Sequence, residues 1–182
     1  MSVLPILTWP DPRLSQRCAP VRSLGKPMVE TPPEPPIGTP PETTALITNL
    51  FDTMYAASGR GLAAPQVGVL QRIFVMDCGW KDDDPTPKIC INPEILQASE
   101  VTSTRLEGCL SLPGLTADVI RPAQIMLRSV DLQGRTQDWD LTGFEATCAQ
   151  HELDHLDGVI TFDRVDQATR AALEARYSAA LA

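Results

Sequence analysis

From Gly143 onward the chain reads GFEATCAQHELDH, a stretch whose apolar positions recur at the spacing of an α-helix. Four side chains fall near one face of such a helix: Phe144, Cys148, His151 and His155. Small apolar residues precede the histidines, which indicates that the helix enters a buried environment. Because buried imidazoles need polar or metal partners, we expect the two histidines to have such partners.

The segment His151-Glu152-Leu153-Asp154-His155 matches the pattern H-E-x-x-H and contains both of the chain's 2 histidines. On a helix, positions i and i+4 share a face, so two imidazoles at this spacing can bind one metal ion. Glu152 follows the first histidine, which brings its carboxylate beside a water that the metal activates. The pattern therefore predicts a metal site with Glu152 as general base and then general acid.

A catalytic metal site of this kind needs a third protein ligand, and the chain has no third histidine. Two candidates stay open. Glu174 lies downstream of the histidine pair and would give a zinc peptidase of the Glu type. Cys109 lies in the short apolar segment EGCLSLPG, residues 107–114, where Gly108 permits a close backbone approach. A divalent cation beside this thiol would deprotonate it.

A glycine-rich stretch, GRGLAAPQVG, occupies residues 59–68. Its glycines, alanines and proline allow a tight backbone beside a cleft. Gln66 has the one polar side chain within residues 62–68, and its amide can donate a hydrogen bond to a developing oxyanion. A purely structural turn is the alternative. No Lys-Ser or Lys-Thr follows, so the stretch is not a phosphate loop.

Helical and strand patterns alternate elsewhere in the chain. Residues 43–57 have apolar positions at helical spacing, with Thr43 or Thr44 as the N-cap. Residues 166–181 form a second, Ala-rich helical candidate. Four segments are typical of strands: residues 72–77, 88–92, 124–130 and 136–141.

The chain length of 182 residues predicts a single domain, residues 1–182. Residues 1–24 are predicted to form a short arm that packs on the body of this domain. Residues 27–41 are rich in proline and therefore suited neither to a helix nor to a central strand. We interpret them as a surface insertion, since long loops cost little free energy.

The composition excludes several classes of protein. Lys and Arg number 15 against 23 Asp and Glu, and the net charge of −8 argues against a nucleic-acid-binding surface. No apolar run approaches the roughly 20 residues of a membrane helix. The 5 cysteines form no CxxC pair, and the N-terminus lacks the features of a secretory signal. Together these features favour a reduced protein of the cytoplasm.

Considered together, three segments resemble the signature motifs of peptide deformylases: residues 59–66, 107–111 and 150–155. They occur in that family's order and at similar spacing, and the resemblance extends from about residue 1 to about residue 165. It implies an α+β fold with antiparallel sheets packed around a central helix that carries H-E-x-x-H, and further N-terminal and C-terminal helices. It also implies hydrolysis of the N-formyl group of formyl-methionine on newly made polypeptides, with release of formate.

The resemblance implies a role for each motif residue. Three residues would bind one divalent metal ion: Cys109, His151 and His155. The metal would be Fe²⁺ in most members, with Zn²⁺, Ni²⁺ or Co²⁺ as substitutes. Glu152 would be the general base and acid, and Gly61 would position the substrate backbone. Gln66 and the backbone N–H of Leu110 would stabilise the oxyanion.

Three residues depart from the family pattern near the pocket for the methionine side chain: Arg60, Phe144 and Thr147. Arg60 stands where Ile or Val is usual, although an arginine can lay its methylene stem on apolar surface and keep its head in water. An altered substrate preference therefore stays open. So do two further hypotheses, a zinc peptidase with Glu174 as ligand and a protein that binds formylated peptides without turnover.

The resemblance implies that the partner is a formylated nascent peptide. Some members dock on the ribosome through a basic C-terminal helix, whereas residues 163–182 here have as many acidic as basic side chains. Ribosome association is therefore expected to be transient at most. We expect a monomer without nucleic-acid or membrane partners, since no long heptad seam occurs.

Overall fold

A five-stranded sheet is the larger of two sheets in the computed structural model, which describes residues 2–22 and 41–181. The strands in chain order are β1 (Gly61–Ala63), β2 (Ile73–Met76), β3 (Lys88–Ala98), β4 (Thr102–Gly108), β5 (Thr116–Pro122), β6 (Gln124–Val130) and β7 (Thr136–Thr142). The larger sheet has the order β1-β2-β3-β6-β7, and its neighbouring strands are all antiparallel. The side chains of Phe74, Val75 and Leu127 are 0% exposed and form part of its apolar core.

The strands predicted from residues 72–77, 88–92, 124–130 and 136–141 are confirmed as β2, β3, β6 and β7. β3 continues to Ala98, well beyond the predicted end at residue 92. Its register against β6 shifts between Ile91 and Glu94, at Pro93. Proline has no N–H for the ladder and is confined to edges and bulges, so it interrupts the strand pattern of the sequence at this point.

The second sheet is the hairpin of β4 and β5, which the sequence did not predict. Glu107 and Arg121 lie on its buried face, together with Ala117 and Val119. Charged residues on the inner face hide the alternation of apolar and polar residues by which a half-buried strand is recognised. The hairpin therefore became visible only in the structure.

The described part of the chain also contains three α-helices: α1 (Pro41–Ala56), α2 (Gly143–Leu156) and α3 (Gln167–Leu181). The N-cap predicted at Thr43 or Thr44 is wrong, because α1 begins at Pro41 and includes both threonines. Proline fits the first position of a helix, where the missing N–H would have no partner in any case. The predicted insertion therefore does not include residue 41, and its residues 27–40 lie outside the described part of the chain.

Helix α2 packs between the sheets and contacts strands of both, namely β1, β2, β6 and β7 of the larger sheet and β5 of the hairpin. Ala146 and Ala149 are 0% exposed, and their small side chains let the helix lie close to its neighbours. The helix includes residues 151–155, the H-E-x-x-H segment. The predicted α+β class is therefore confirmed, and the H-E-x-x-H segment lies on a helix.

Residues 2–22 form the predicted arm along the body of the domain. The backbone N–H of Cys18 donates to the carbonyl of Leu156 at the end of α2, at 2.8 Å. The Trp9 ring makes edge contacts with Phe162 and with Tyr177 of α3, at centroid distances of 5.3 and 5.6 Å. Such pairs contribute about 0.5–1.5 kcal/mol each, so Trp9 helps to fix α3 on the domain.

All the cysteines are free thiols, and four of them have the buried environment predicted for small apolar side chains: Cys18, Cys78, Cys90 and Cys148. Cys109 differs, since it is partly exposed. Within residues 2–22 and 41–181, none of the helices has both the length and the apolar character that crossing a bilayer requires.

Candidate active site

The ligand atoms of Cys109, His151 and His155 lie within 4.8 Å of one another. Helix α2 supplies both histidines, and Cys109 follows the last residue of β4. The Cys109 Sγ is 3.2 Å from the His155 Nε2. Among the residues that the structure describes, this is the one cluster of histidine, cysteine and carboxylate side chains with the geometry to hold a metal ion.

The chemistry of these donors fits a divalent metal. Burial disfavours the Cys109 thiolate, but His155 and His151 outweigh this effect and hold the pKa of the thiol well below its ordinary value. A thiolate and two imidazoles are a ligand set that Zn²⁺ and ferrous iron accept. Glu174, the rival third ligand, lies on α3 and accepts a hydrogen bond from the Arg170 Nε at 2.8 Å. The structure therefore favours Cys109 over Glu174.

A buried carboxylate fixes the ring of His151. The His151 Nδ1 lies 2.9 Å from the Glu107 Oε2, and the Arg121 Nε and Nη2 donate to the same carboxylate at 2.6 and 3.0 Å. Burial opposes the Glu107 charge, but hydrogen bonds from His151 and Arg121 outweigh it and lower the pKa of the carboxyl. A carboxylate on Nδ1 leaves Nε2 as the ligand atom and keeps the ring oriented.

The same arginine extends this network to a second carboxylate. The Arg121 Nη1 donates to the Asp154 Oδ2 at 2.9 Å, and the Arg164 Nε donates to the same oxygen at 2.9 Å. Sequence reasoning missed the roles of Glu107, Arg121 and Asp154. Glu107 lies in the same motif as Cys109, but its partner Arg121 is identified only by the pairing of β4 with β5.

Glu152 lies beside the cluster and is 4% exposed. Its Oε2 is buried and has no hydrogen-bond partner among the described residues. Burial raises the pKa of Glu152 to about 7, against the opposing effect of the two histidine rings. Such a carboxyl group can accept and return a proton near neutral pH.

Gly61 leaves the space that Glu152 occupies. A Cβ atom built on Gly61 would lie 2.3 Å from the Glu152 Oε1 and 2.9 Å from the Cys148 Sγ. Real Cβ atoms do not approach other atoms this closely, so any side chain at residue 61 would displace the carboxylate. The glycine is needed at this position because of the close approach of β1 to α2.

The side-chain amide of Gln66 is held in one orientation. Its Oε1 accepts a hydrogen bond from the Ala63 backbone N–H at 2.9 Å, and its Nε2 donates to the Ser111 Oγ at 3.1 Å. The same Nε2 lies 3.7 Å from the Cys109 Sγ. The amide therefore presents its donor side toward the metal-ligand cluster. The role of Ser111 was not predicted.

A pocket of about 620 Å³ opens over the cluster. It is lined by the glycine-rich turn, the segment after β4 and one face of α2. The predicted site residues at its wall are Arg60, Gly61, Gln66, Cys109, Leu110, Phe144, Thr147, His151 and Glu152. His155 lies behind the wall and is 1% exposed. The structure thus gathers residues from three distant segments around one pocket.

Arg60 is fixed at the rim of this pocket. Its Nη1 donates to the Cys78 carbonyl and to the Asp82 Oδ2, the latter at 2.9 Å. Its Cζ lies 5.4 Å from the centroid of the Phe144 ring. The Trp80 Nε1 donates to the Gly59 carbonyl at 2.8 Å, so residues 78–82 hold the glycine-rich turn in place. Sequence reasoning did not find this support.

Comparison with known proteins agrees with this architecture. A model of the polypeptide deformylase family matches residues 3–171. A peptide deformylase of Mesorhizobium japonicum is 38% identical over 170 residues, which cover 93% of this chain and 88% of that protein. A peptide deformylase of Nitrobacter hamburgensis is 43% identical over 144 residues, covering 77% of this chain and 82% of that protein.

Solved structures show the same fold. The peptide deformylase of Ehrlichia chaffeensis in complex with actinonin has a TM-score of 0.83 and 33% identity, covering 97% of this chain and 96% of that one. A plant peptide deformylase has a TM-score of 0.84 and 29% identity, covering 98% and 89%. Since both sequence and structure agree over nearly the whole length, this chain belongs to the polypeptide deformylase family, which removes the N-formyl group from nascent peptides in a metal-dependent reaction.

Proposed function

We propose that Cys109, His151 and His155 bind the metal of this deformylase and that Glu152 moves the proton in the reaction. The observation that supports this assignment most strongly is the convergence of the three ligand atoms within 4.8 Å of one another. Glu152, whose buried Oε2 has no hydrogen-bond partner among the described residues, lines the same pocket as Cys109 and His151. A site that only binds a metal ion would not require this additional carboxylate.

The metal we propose is Fe²⁺, the ion that the family resemblance implies. Zn²⁺, Ni²⁺ or Co²⁺ could substitute for it, because one thiolate and two imidazoles suit all of these ions. When bound, such an ion supplies a Lewis acid that polarises the formyl carbonyl and lowers the pKa of water. Glu107 would keep the His151 ring in the ligand orientation through the 2.9 Å contact with Nδ1.

Glu152 would transfer one proton in each turnover. The carboxylate accepts a proton from the water that attacks the formyl carbon, and it then gives this proton to the departing amine. The bond between the formyl carbon and the peptide nitrogen breaks, which yields formate and a free N-terminus. Burial raises the pKa of Glu152 to about 7, which suits both directions of the transfer.

Gln66 would stabilise the negative charge that develops on the formyl oxygen. The hydrogen bond from the Ala63 N–H to its Oε1 leaves the Nε2 as the group that faces the cluster. Leu110 lines the same pocket, and its backbone N–H would be the second donor. Donors fixed before the reaction need no reorganisation when the charge appears.

The first side chain of the substrate would occupy the part of the pocket near α2. Phe144 and Thr147 line this part, and Arg60 lies over the Phe144 ring. The Thr147 hydroxyl donates to the Gly143 carbonyl at 3.1 Å, which leaves its methyl group for apolar contact. Gly61 would let the substrate backbone approach Glu152. This arrangement suits a methionine side chain.

We also propose that the protein is a monomeric single domain acting in the cytoplasm, where bacterial nascent chains appear. Ribosome docking through α3 would be weak at most, because Arg170 pairs with Asp163 and Glu174. The net charge of the chain is −8, which gives no reason to expect a nucleic-acid partner.

The decisive experiment is a formate-release assay with formyl-Met-Ala-Ser on protein purified and metal-loaded without oxygen. We expect Glu152→Gln to retain its metal content and to lose formate release by roughly 10²–10⁴-fold. Glu94→Gln, a change at an exposed carboxylate of β3, is the matched control and should keep the activity. Retained activity in Glu152→Gln would overturn the proposed proton transfer.

A further inference from the structure

A groove of about 660 Å³ lies between the β4–β5 hairpin and helix α3. One wall is the outer face of the hairpin and the other includes Thr169, Ala172 and Arg176 of α3. None of the residues assigned to metal binding or proton transfer lines it. The groove is therefore a different part of the surface from the proposed hydrolytic site.

Two apolar side chains on the hairpin wall are exposed to an unusual degree. Leu106 is 66% exposed and Ile120 is 67% exposed. Because Thr104 pairs with Ile120 and Leu106 with Asp118, these two side chains are diagonal neighbours on the same face of the hairpin. Neighbouring exposed apolar groups on a β-sheet face are typical of a surface that binds another molecule.

The groove is continuous with the active-site pocket. Leu106 and Thr116 line both cavities and so form the ridge between them. When the formyl group of a peptide lies at the metal-ligand cluster, the rest of the peptide has to leave the pocket. A chain that crosses the ridge of Leu106 and Thr116 enters the groove directly. From Thr116 to Ile120 the strand β5 rises by about 13 Å, which is the length of about four extended residues.

We propose that this groove binds the downstream part of the substrate, a stretch of about four extended residues with apolar side chains that follows the formylated N-terminal residues. The inference rests on the proposed function, because the register of the peptide depends on the formyl group lying at Cys109, His151 and His155. The continuity of the two cavities favours the substrate chain over another occupant. A second protein copy would need no such connection.

The charges of the groove fit a polypeptide backbone with uncharged side chains. Arg164 and Arg176 lie along it together with Asp118 and Asp166, so neither sign dominates. The Asp166 carboxylate already accepts hydrogen bonds from Thr169, and Arg164 is paired with Asp154. The walls at Leu106, Ile120 and Ala172 therefore offer apolar contact as the main source of affinity.

The test compares three amidated peptides on the metal-loaded enzyme, so that no terminal carboxylate interferes. The first is formyl-Met-Ala-Ser-amide, the second extends it by Leu-Thr-Val-Ser, and the third extends it by Ser-Gly-Ser-Gly. We expect the apolar extension to raise kcat/KM roughly fivefold to tenfold, through KM, and the polar extension to have no such effect.

Two variants locate the effect on opposite walls of the groove. Ile120→Ser and Ala172→Glu should each remove most of the gain from the apolar extension and leave turnover of the tripeptide unchanged. Both side chains are exposed, so the fold should tolerate these changes. Val101→Ser is the matched control, since Val101 is 71% exposed but does not line the groove.

The outcomes separate this inference from the proposed function. Absence of formate from all three peptides would overturn the proposed function itself. Turnover of the tripeptide with no gain from the apolar extension would overturn the groove assignment alone. An equal loss in Val101→Ser, or a change of Ile120→Ser in sedimentation rather than in KM, would also overturn it, the latter in favour of a second copy as the occupant.

Discussion

The Glu107 Oε2 lies 2.9 Å from the His151 Nδ1, in a pair whose side chains are 4% and 11% exposed. Arg121 donates two hydrogen bonds to the same carboxylate, so neither the carboxylate nor the imidazole is free to rotate. One of the proposed ligands is therefore oriented by the protein itself. The hairpin of β4 and β5 contributes to the site by supplying both Glu107 and Arg121.

Glu107→Gln tests this orientation. We expect the affinity for Zn²⁺, measured by chelator competition, to fall roughly 10–100-fold, because the amide is a weaker partner for the Nδ1–H. We also expect the free energy of unfolding of the metal-free protein to fall by about 3 kcal/mol, because Arg121 loses a buried charged partner. Glu94→Gln on the exposed side of β3 is the control for a lost carboxylate. Metal affinity within twofold of the original would contradict the positioning role.

Gly61→Ala tests the close approach of β1 to Glu152. The added Cβ would lie 2.3 Å from the Glu152 Oε1, so the carboxylate has to move. We expect kcat for formate release to fall roughly 100-fold, as for a misplacement of about 1 Å, with the metal content unchanged. At Gly108 a Cβ would meet nothing nearer than 3.7 Å, so Gly108→Ala should keep the thermal stability of the original protein. Full activity of Gly61→Ala would disprove the steric argument.

Replacement of the third ligand distinguishes the deformylase site from a Glu-type peptidase site. Cys109→Ser should weaken metal binding by more than roughly 100-fold, because loss of a ligand costs more than loss of a ligand's outer partner. Glu174→Gln should keep the metal, since Glu174 is engaged with Arg170 on α3. Metal analysis after dialysis against a weak chelator gives the answer. The opposite pattern in the two variants would revive the peptidase hypothesis.

The stability of the protein should fall in alkaline solution in part through Cys90. Burial raises the pKa of this thiol to about 12, whereas the thiol in the unfolded chain has its ordinary pKa of 9.0. Between these two pH values the unfolded chain releases a proton that the folded state keeps. The stabilisation is complete below a pH of about 9.0 and is lost as the pH rises toward about 12. Between these two pH values, the free energy of unfolding should fall by about 1.4 kcal/mol per pH unit.

Cys90→Ala checks this contribution by urea unfolding at about pH 8 and at about pH 10.5. The variant should be less stable at the lower pH, and the gap to the original protein should narrow by about 2 kcal/mol at the higher pH. Val75→Ala removes a similarly buried side chain that does not titrate, so its deficit should be the same at both values. An unchanged gap for Cys90→Ala would show that the thiol does not contribute to the alkaline loss.

Several parts of the fold and site could be predicted because they depend on short patterns. The H-E-x-x-H segment needs only the helical period to bring His151 and His155 to one face. The strands β2, β6 and β7 have enough β-branched and apolar residues to be recognised locally. The start of α1 at Pro41 was missed because a proline-rich segment runs directly into the helix.

The amino-acid sequence by itself determined the α2 pattern, the metal-binding residue types and, through three motifs together, the family. The resemblance already implied Cys109 as the third ligand, but only the tertiary structure shows its Sγ beside the ring nitrogens of the two histidines. It alone also shows that Glu107 and Arg121 orient His151. The physical reason is that a helix fixes contacts between residues four positions apart. Contacts between residues more than 40 positions apart depend on how the β4–β5 hairpin packs on α2, which no local pattern encodes.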